Sequence, residues 1–184
     1  GLLRYLVVRV SVHEKKAMVV FVTAQRSYNE IHHLGRFVQE QVPEIEVVVQ
    51  NVNASEGNVI LGNKDFFLTP KQHLTEKVGD LSFRISPRSF FQVNISGANL
   101  IYNQVREWAA LGGTETVLDL YCGIGGIALF LAGQAREVIG VEVVEEAVAD
   151  SRLNAKINRI SNCRFEAGDA AELLEDLAEE SQKV

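Results

Sequence analysis

The chain has 184 residues, 47% of them apolar and 23% charged, with a formal net charge of −6. This is the composition of a soluble globular protein with enough apolar residues for one good core or two small domains. Residues 1–100 carry a net +2 and residues 101–184 a net −8. Bulk charge therefore excludes a simple electrostatic nucleic-acid binder, and any polynucleotide must be met by a local patch, best placed in the first half. Cys122 and Cys163 are the only cysteines, too few for a disulfide framework or a four-cysteine zinc site. No apolar run is long enough to span a bilayer. The N-terminus alternates like a strand and lacks the cleavage region of a signal peptide, so a cytoplasmic location is expected.

In chain order, LLRYLVVRVSV (2–12) and AMVVFVTAQ (17–25) read as two strands joined by the polar connection HEKK. The period turns helical over SYNEIHHLGRFVQEQ (27–41), which places Ile31, Leu34 and Val38 on one face. Short extended segments follow: IEVVVQNVN (45–53), NVILG (58–62), DFFLT (65–69) and LSFRIS (81–86), punctuated by Pro70 and Gly79-Asp80. The first half is thus expected to be a small sheet with one helix.

From Asn94 the pattern changes. ISGANLIYNQVREWAALG (95–112) predicts a long amphipathic helix ended by Gly112-Gly113. Three strand–helix units come next. TVLDLY leads through a glycine loop to IALFLAGQA; EVIGVEVV (137–144) leads to EEAVADSRLNAKIN (145–158); CRFEAG (163–168) leads to DAAELLEDLAEE (169–180). Strands alternating with helices predict a parallel, doubly wound sheet, with VLDL (117–120) as a buried parallel strand. Three units make about half of such a sheet and would leave the first strand's far edge open. A fragment of a longer protein is therefore expected.

The glycines Gly123, Gly125 and Gly126 fall within four positions, between an apolar run and a helix. Such a bend lets backbone approach a ligand closely at the carboxyl end of a strand. Two ligands compete for it. Gly123-Ile-Gly125-Gly-Ile-Ala128 satisfies the dinucleotide pattern G-x-G-x-x-G/A, with Glu142 about 20 residues on as a ribose acid. Asp119, however, would set a negative charge beside a pyrophosphate. It suits a ligand with an ammonium next to a carboxylate, the amino-acid end of S-adenosylmethionine. On that reading the loop's N–H groups meet the carboxylate and Asp119 balances the ammonium. Glu142 accepts from the ribose hydroxyls, and Asp169 accepts from the adenine amino group. One acid after each of three successive strands is more specific than the glycines alone.

SPRSFFQVN (86–94), the helix after it, VLDLYCGIGGIALFLA and VIGVEVVEEAV together resemble the S-adenosylmethionine-dependent RNA uracil-5-methyltransferases, which modify ribosomal or transfer RNA. GLLRYLVVRV and QNVN…NVILG extend the resemblance across the chain. It implies an α/β architecture: a small α+β central domain (1–93), then the first half of a Rossmann-like class I methyltransferase domain (94–184). It also implies a donor site at Gln92, Asp119, Tyr121, Gly123, Gly125, Gly126, Glu142 and Asp169. Gln92 matches a glutamine that reaches the donor, and Tyr121 an aromatic after the first strand. Gly126 stands where some members carry Asn, leaving only backbone there. The implied partner is RNA, ribosomal ahead of transfer RNA, lying across a face for which Arg84, Arg88 and Phe90 are candidates.

The departures are as informative. Uracil C5 becomes nucleophilic only after a thiolate adds at C6, and a base must later remove the C5 proton. The resemblance places that Cys, the Glu base and an Asp-Pro-Pro-type motif beyond the third strand–helix unit, where this chain has no counterpart. The iron–sulfur cysteine cluster of many members is also missing. The 184 residues are accordingly expected to be inactive alone. Cys122 and Cys163 read as small packing residues, and the four histidines show no metal-ligand spacing. Other readings left open are a methyltransferase with a small-molecule or protein substrate, a dinucleotide-dependent oxidoreductase, and a non-catalytic RNA-binding or scaffold fragment.

Overall fold

A computed structural model describes residues 2–26, 30–92 and 94–174. The chain divides into two compact units, Gly1–Glu76 with Ile85–Arg88, and Lys77–Arg84 with Ser89–Val184.

The first unit is built on a four-stranded sheet in the order β1-β2-β3-β4. β1 (Leu3–Ser11) and β2 (Lys16–Thr23) form the expected antiparallel hairpin, and β3 (Ile45–Val52) runs parallel to β2. A parallel neighbour needs a crossover, which α1 (Glu30–Gln41) supplies. β2 and β3 are buried on both faces because their Val-rich runs feed two cores. Met18, Val20, Val22, Val47 and Val49 pack with Leu74 on one side; Val19, Phe21 and Val48 pack with Ile31 of α1 on the other. The buried face of α1 differs from the expected one. Ile31 and Gly35 are buried, whereas Leu34 lies outside. Gly35, lacking a side chain, sits close against Leu68 and Val48.

Two further segments depart from the sequence reading. NVILG forms no strand. Its place is fixed by side-chain amides instead: Asn53 Nδ2 donates to the carbonyls of Val59 and Ile60 (2.6 and 3.0 Å), and Asn51 Oδ1 accepts from Gly62 N–H at 2.7 Å. β4 is Lys64–Phe67, antiparallel to β3. The strand β5 (Leu74–Val78), which the sequence reading passed over, pairs with β6 (Leu81–Ile85).

In the second unit α2 spans Ile95–Ala109, capped by Asn94, whose side chain accepts from Gly97 N–H at 2.9 Å. It ends before the expected Gly112. The Glu115 carboxylate accepts from the N–H groups of Gly112 and Thr114 at 2.9 and 3.1 Å, folding this stretch into a turn of its own. β7 (Thr116–Asp119), β8 (Glu137–Glu142) and β9 (Cys163–Ala167) make a parallel sheet in that order. α3 (Gly126–Leu131) and α4 (Glu145–Ile157) connect them, so the expected parallel sheet with helices is present. β8 is central, and its Val138, Ile139 and Val141 are buried. β7 is not the buried strand that VLDL suggested. Among the described residues it pairs only with β8, and Leu118 remains 38% exposed. A helical turn opens at 170–174, and the rest of the expected helix to 180 lies outside the described residues.

One buried polar side chain joins these elements. Asn154 of α4 is inaccessible to solvent; its Nδ2 donates to the Ile124 carbonyl (3.0 Å) and its Oδ1 accepts from Arg84 N–H (2.7 Å). Replacing it by Leu would leave a buried donor and a buried acceptor unpaired. Asn154→Leu is expected to destabilise the second unit by about 2–4 kcal/mol, read as an earlier urea midpoint by circular dichroism. Unchanged stability would show that water satisfies those groups.

Candidate functional site

The site grows from the abrupt end of β7. Gly123 and Gly125 adopt φ of +54° and +85°, a region that residues with a Cβ rarely enter. These two reversals turn the chain from strand into α3 within a few residues. Gly125 is the N-cap of α3 and has no side chain with which to cap it. Asp119 takes over that task from the end of β7: its Oδ2 accepts from Ala128 N–H at 3.1 Å. Ala128 is the third helical residue, whose N–H an N-cap side chain would otherwise take.

A cavity of about 120 Å³ opens on the loop. Gln92, Asp119, Tyr121, Gly123 and Gly126 all line it, together with Phe90, Phe91, Tyr102, Cys122, Ile124 and Ile127. Phe90 and Tyr121 stand at its mouth, 73% and 82% exposed. Gln92 is exposed, and a Cβ on Gly123 would meet nothing. Gly125 lies behind the cavity, packed towards Phe165 and Ser151.

Glu142 ends β8 and is tied to the loop. Its Oε2 accepts from Gly123 N–H at 3.1 Å and its Oε1 from Val144 N–H at 2.9 Å. Asp169 follows β9, where Gly168 N–H donates to the Glu142 carbonyl at 3.1 Å. Its Oδ1 accepts from Ala171 N–H at 2.7 Å, capping the helical turn that starts there. The parallel register sets Asp119 opposite Gly140 and Glu142 opposite Ala167. The three acids therefore step along the carboxyl edge of the sheet. Only Asp119 faces the cavity; Glu142 borders the loop, and Asp169 is exposed at the far strand.

The electrostatics follow from this placement. Burial pushes the Asp119 carboxyl above its ordinary value, and the Glu142 carboxylate pushes the same way, against the N–H groups of Ala128 and Tyr121. The Cys122 thiol is raised to about 12, chiefly by burial and then by Asp119 and Glu142. Burial with Asp119 lifts the Cys163 thiol to about 11. Neither offers a thiolate near neutral pH. Among the described residues no group of His, Cys, Asp and Glu could hold a metal ion, and no helix is long and apolar enough to cross a membrane.

Two residues important to this geometry escaped the sequence reading. Tyr102 sat unremarked within an amphipathic helix. Asn154 belongs to a buried polar set with Asp150 and Ser151 on α4, and the only sequence signal for it is their spacing at 150, 151 and 154 on one helix face. The arginines named for an RNA face are engaged elsewhere: Arg84 pairs with Asp150 at 3.4 Å and Arg88 with Asp65 at 3.0 Å.

A carboxylate held above its ordinary pKa destabilises the folded state when ionised. Stability from this group is therefore greatest at low pH and declines as pH rises through the aspartate range. Asp119→Asn is expected to raise the melting temperature of the ligand-free protein at neutral pH, with the gain shrinking towards pH 4. A lower melting temperature for the variant at neutral pH would show that capping of α3 outweighs desolvation.

Comparison with known proteins gives three concordant results. Residues 112–184 match the family model described as a methyltransferase domain. The whole chain is 65% identical to a Geobacter sulfurreducens protein named an RNA methyltransferase, and 45% identical over 179 residues to one from Enterococcus faecalis. It spans 37% and 39% of those proteins' lengths. A Pyrococcus abyssi tRNA (uracil-54, C5)-methyltransferase, solved with S-adenosyl-L-homocysteine, superposes with a TM-score of 0.74 at 29% identity, over 92% of this chain and 40% of that one. The chain is thus homologous along its length to proteins named RNA methyltransferases, and residues 112–184 of its second unit match the methyltransferase-domain model.

Proposed function

We propose that this chain is the donor-binding part of an RNA methyltransferase that moves a methyl group from S-adenosylmethionine to C5 of a uridine. The observation that carries the reading is Asp119, a half-buried carboxylate raised in pKa and facing the cavity under the glycine loop. An anion in that state is best balanced by a cation from outside the protein. An amino-acid ammonium supplies one, whereas a pyrophosphate would add to the repulsion. The cavity's size fits the amino-acid end of the donor, with the remainder along the carboxyl edge of the sheet towards Glu142 and Asp169.

In this reading Asp119 holds the ammonium, and the loop backbone and the Gln92 side chain serve the polar end. Glu142 receives the ribose hydroxyls with the lone pairs left over from Gly123 and Val144. Asp169 meets the adenine amino group, and Tyr121 covers the donor from solvent. The donor contributes an electrophilic methyl on a sulfonium, so the residues need only orient it and exclude water. The matched Pyrococcus protein, named for uracil C5 of tRNA and solved with the product of the donor, supports the uridine assignment. RNA is the proposed partner, with ribosomal RNA placed ahead of transfer RNA by the motif resemblance, and the cytoplasm is the proposed location. The two-part organisation at 1–93 and 94–184 belongs to the same proposal.

The chain is proposed not to complete the reaction alone, because the Cys122 and Cys163 thiols stay protonated and cannot add to C6. An iron–sulfur cluster, where relatives have one, would have no cysteine set here. Titration calorimetry with S-adenosylhomocysteine is expected to show binding that Asp119→Ala and Glu142→Ala each weaken at least about 10-fold, and none with NAD. NAD binding without S-adenosylhomocysteine binding would contradict the reading. Methyl transfer to ribosomal or transfer RNA transcripts by the chain alone would contradict its proposed inactivity.

A further inference from the structure

Tyr102 projects from α2 into the cavity, and its placement is more specific than packing requires. The residue is only 6% exposed, and its ring is held against Phe130 with centroids 5.6 Å apart. Arg106 lies over the Phe130 ring, 5.0 Å from its centroid. Among the described residues, however, none forms a hydrogen bond with its hydroxyl. Its oxygen is not one of the fully buried polar atoms that lack a partner; it opens on the cavity, where a ligand can supply the partner that a largely buried phenol usually finds. Here the hydroxyl shares the cavity with the Asp119 carboxylate and the loop.

Room for that hydroxyl exists only because residue 126 is glycine. A Cβ built on Gly126 would overlap the Tyr102 hydroxyl, and the ring carbon bearing it would lie only 3.1 Å away. Gly126 is the first residue of α3, and no positive φ is recorded there. Backbone conformation therefore does not demand glycine at this position; the tyrosine does. The two residues form a matched pair that presents one neutral hydrogen-bond donor beside a carboxylate. Burial and Asp119 both raise the phenol's pKa, which keeps its proton in place at neutral pH.

We propose that Tyr102 is a further ligand-binding residue, whose hydroxyl donates a hydrogen bond to the carboxylate of a bound amino-acid moiety while Asp119 holds the neighbouring ammonium. This rests on the donor reading above and assigns its amino-acid end. A neutral donor suits the position. A second cation would compete with the ammonium for Asp119, and an acceptor would repel the ligand carboxylate.

The test uses two ligands that differ in this moiety. S-adenosylhomocysteine has the amino acid; 5′-methylthioadenosine keeps the nucleoside and thioether but lacks it. Tyr102→Phe removes one oxygen and keeps the ring against Phe130. It is expected to weaken S-adenosylhomocysteine about 10-fold and to leave 5′-methylthioadenosine within about twofold, a split that loss of packing would not produce. Gly126→Ala is expected to weaken S-adenosylhomocysteine in the wild-type background and to cost less in Tyr102→Phe, since the overlapping oxygen is gone. Wild-type binding that Tyr102→Phe leaves unchanged, or equal weakening of both ligands, would overturn this proposal alone. Failure of the wild-type chain to bind either ligand would overturn the donor reading and this assignment with it.

Discussion

The hydrogen bond from Ala128 N–H to Asp119 organises the second unit. A helix cannot begin directly after a strand unless the chain reverses sharply, and the reversal here uses glycines that have no side chain to cap the helix they introduce. The cap must come from elsewhere, and the end of β7 supplies it. One carboxylate therefore closes the turn and is drawn, half-buried, to the floor of a cavity. Its charge is the reason the cavity has a chemical preference at all.

The neighbouring acids share this double use. Glu142 gives one oxygen to Gly123 and the other to Val144, so the loop is fastened to the next strand before any ligand arrives. Asp169 caps its own helical turn. Asn154 holds the loop from behind through the Ile124 carbonyl. A loop of glycines costs conformational entropy to order, and these contacts order it in advance. Such preorganisation favours binding without a large rearrangement.

The sequence carried much of this, and its failures have physical causes. Strand–helix alternation and the three acids after three strands were legible because both are spacing patterns. The α1 face was misassigned at Leu34 because periodicity counts apolar side chains, whereas Gly35 is buried through having none. NVILG looked like a strand by composition, but Asn51 and Asn53 engage its backbone with their amides, and hydrophobic periodicity does not register such side-chain bonds. VLDL read as buried because parallel strands usually have two neighbours; β7 has one among the described residues. Tyr102 was hidden for a related reason. A tyrosine on an apolar helix face reads as core, and only the meeting of α2 with the start of α3 reveals where its hydroxyl lies.

At the heart of the proposed site, Asp119 receives a cation while the glycine loop receives the adjoining carboxylate. A crystal structure of the chain with S-adenosylhomocysteine would decide whether they do. The expected density places the ligand's ammonium within hydrogen-bonding distance of Asp119, directly or through one water, with its adenosine running past Glu142 towards Asp169. Density with the adenosine over Asp119 and the amino acid at the β9 end would contradict it.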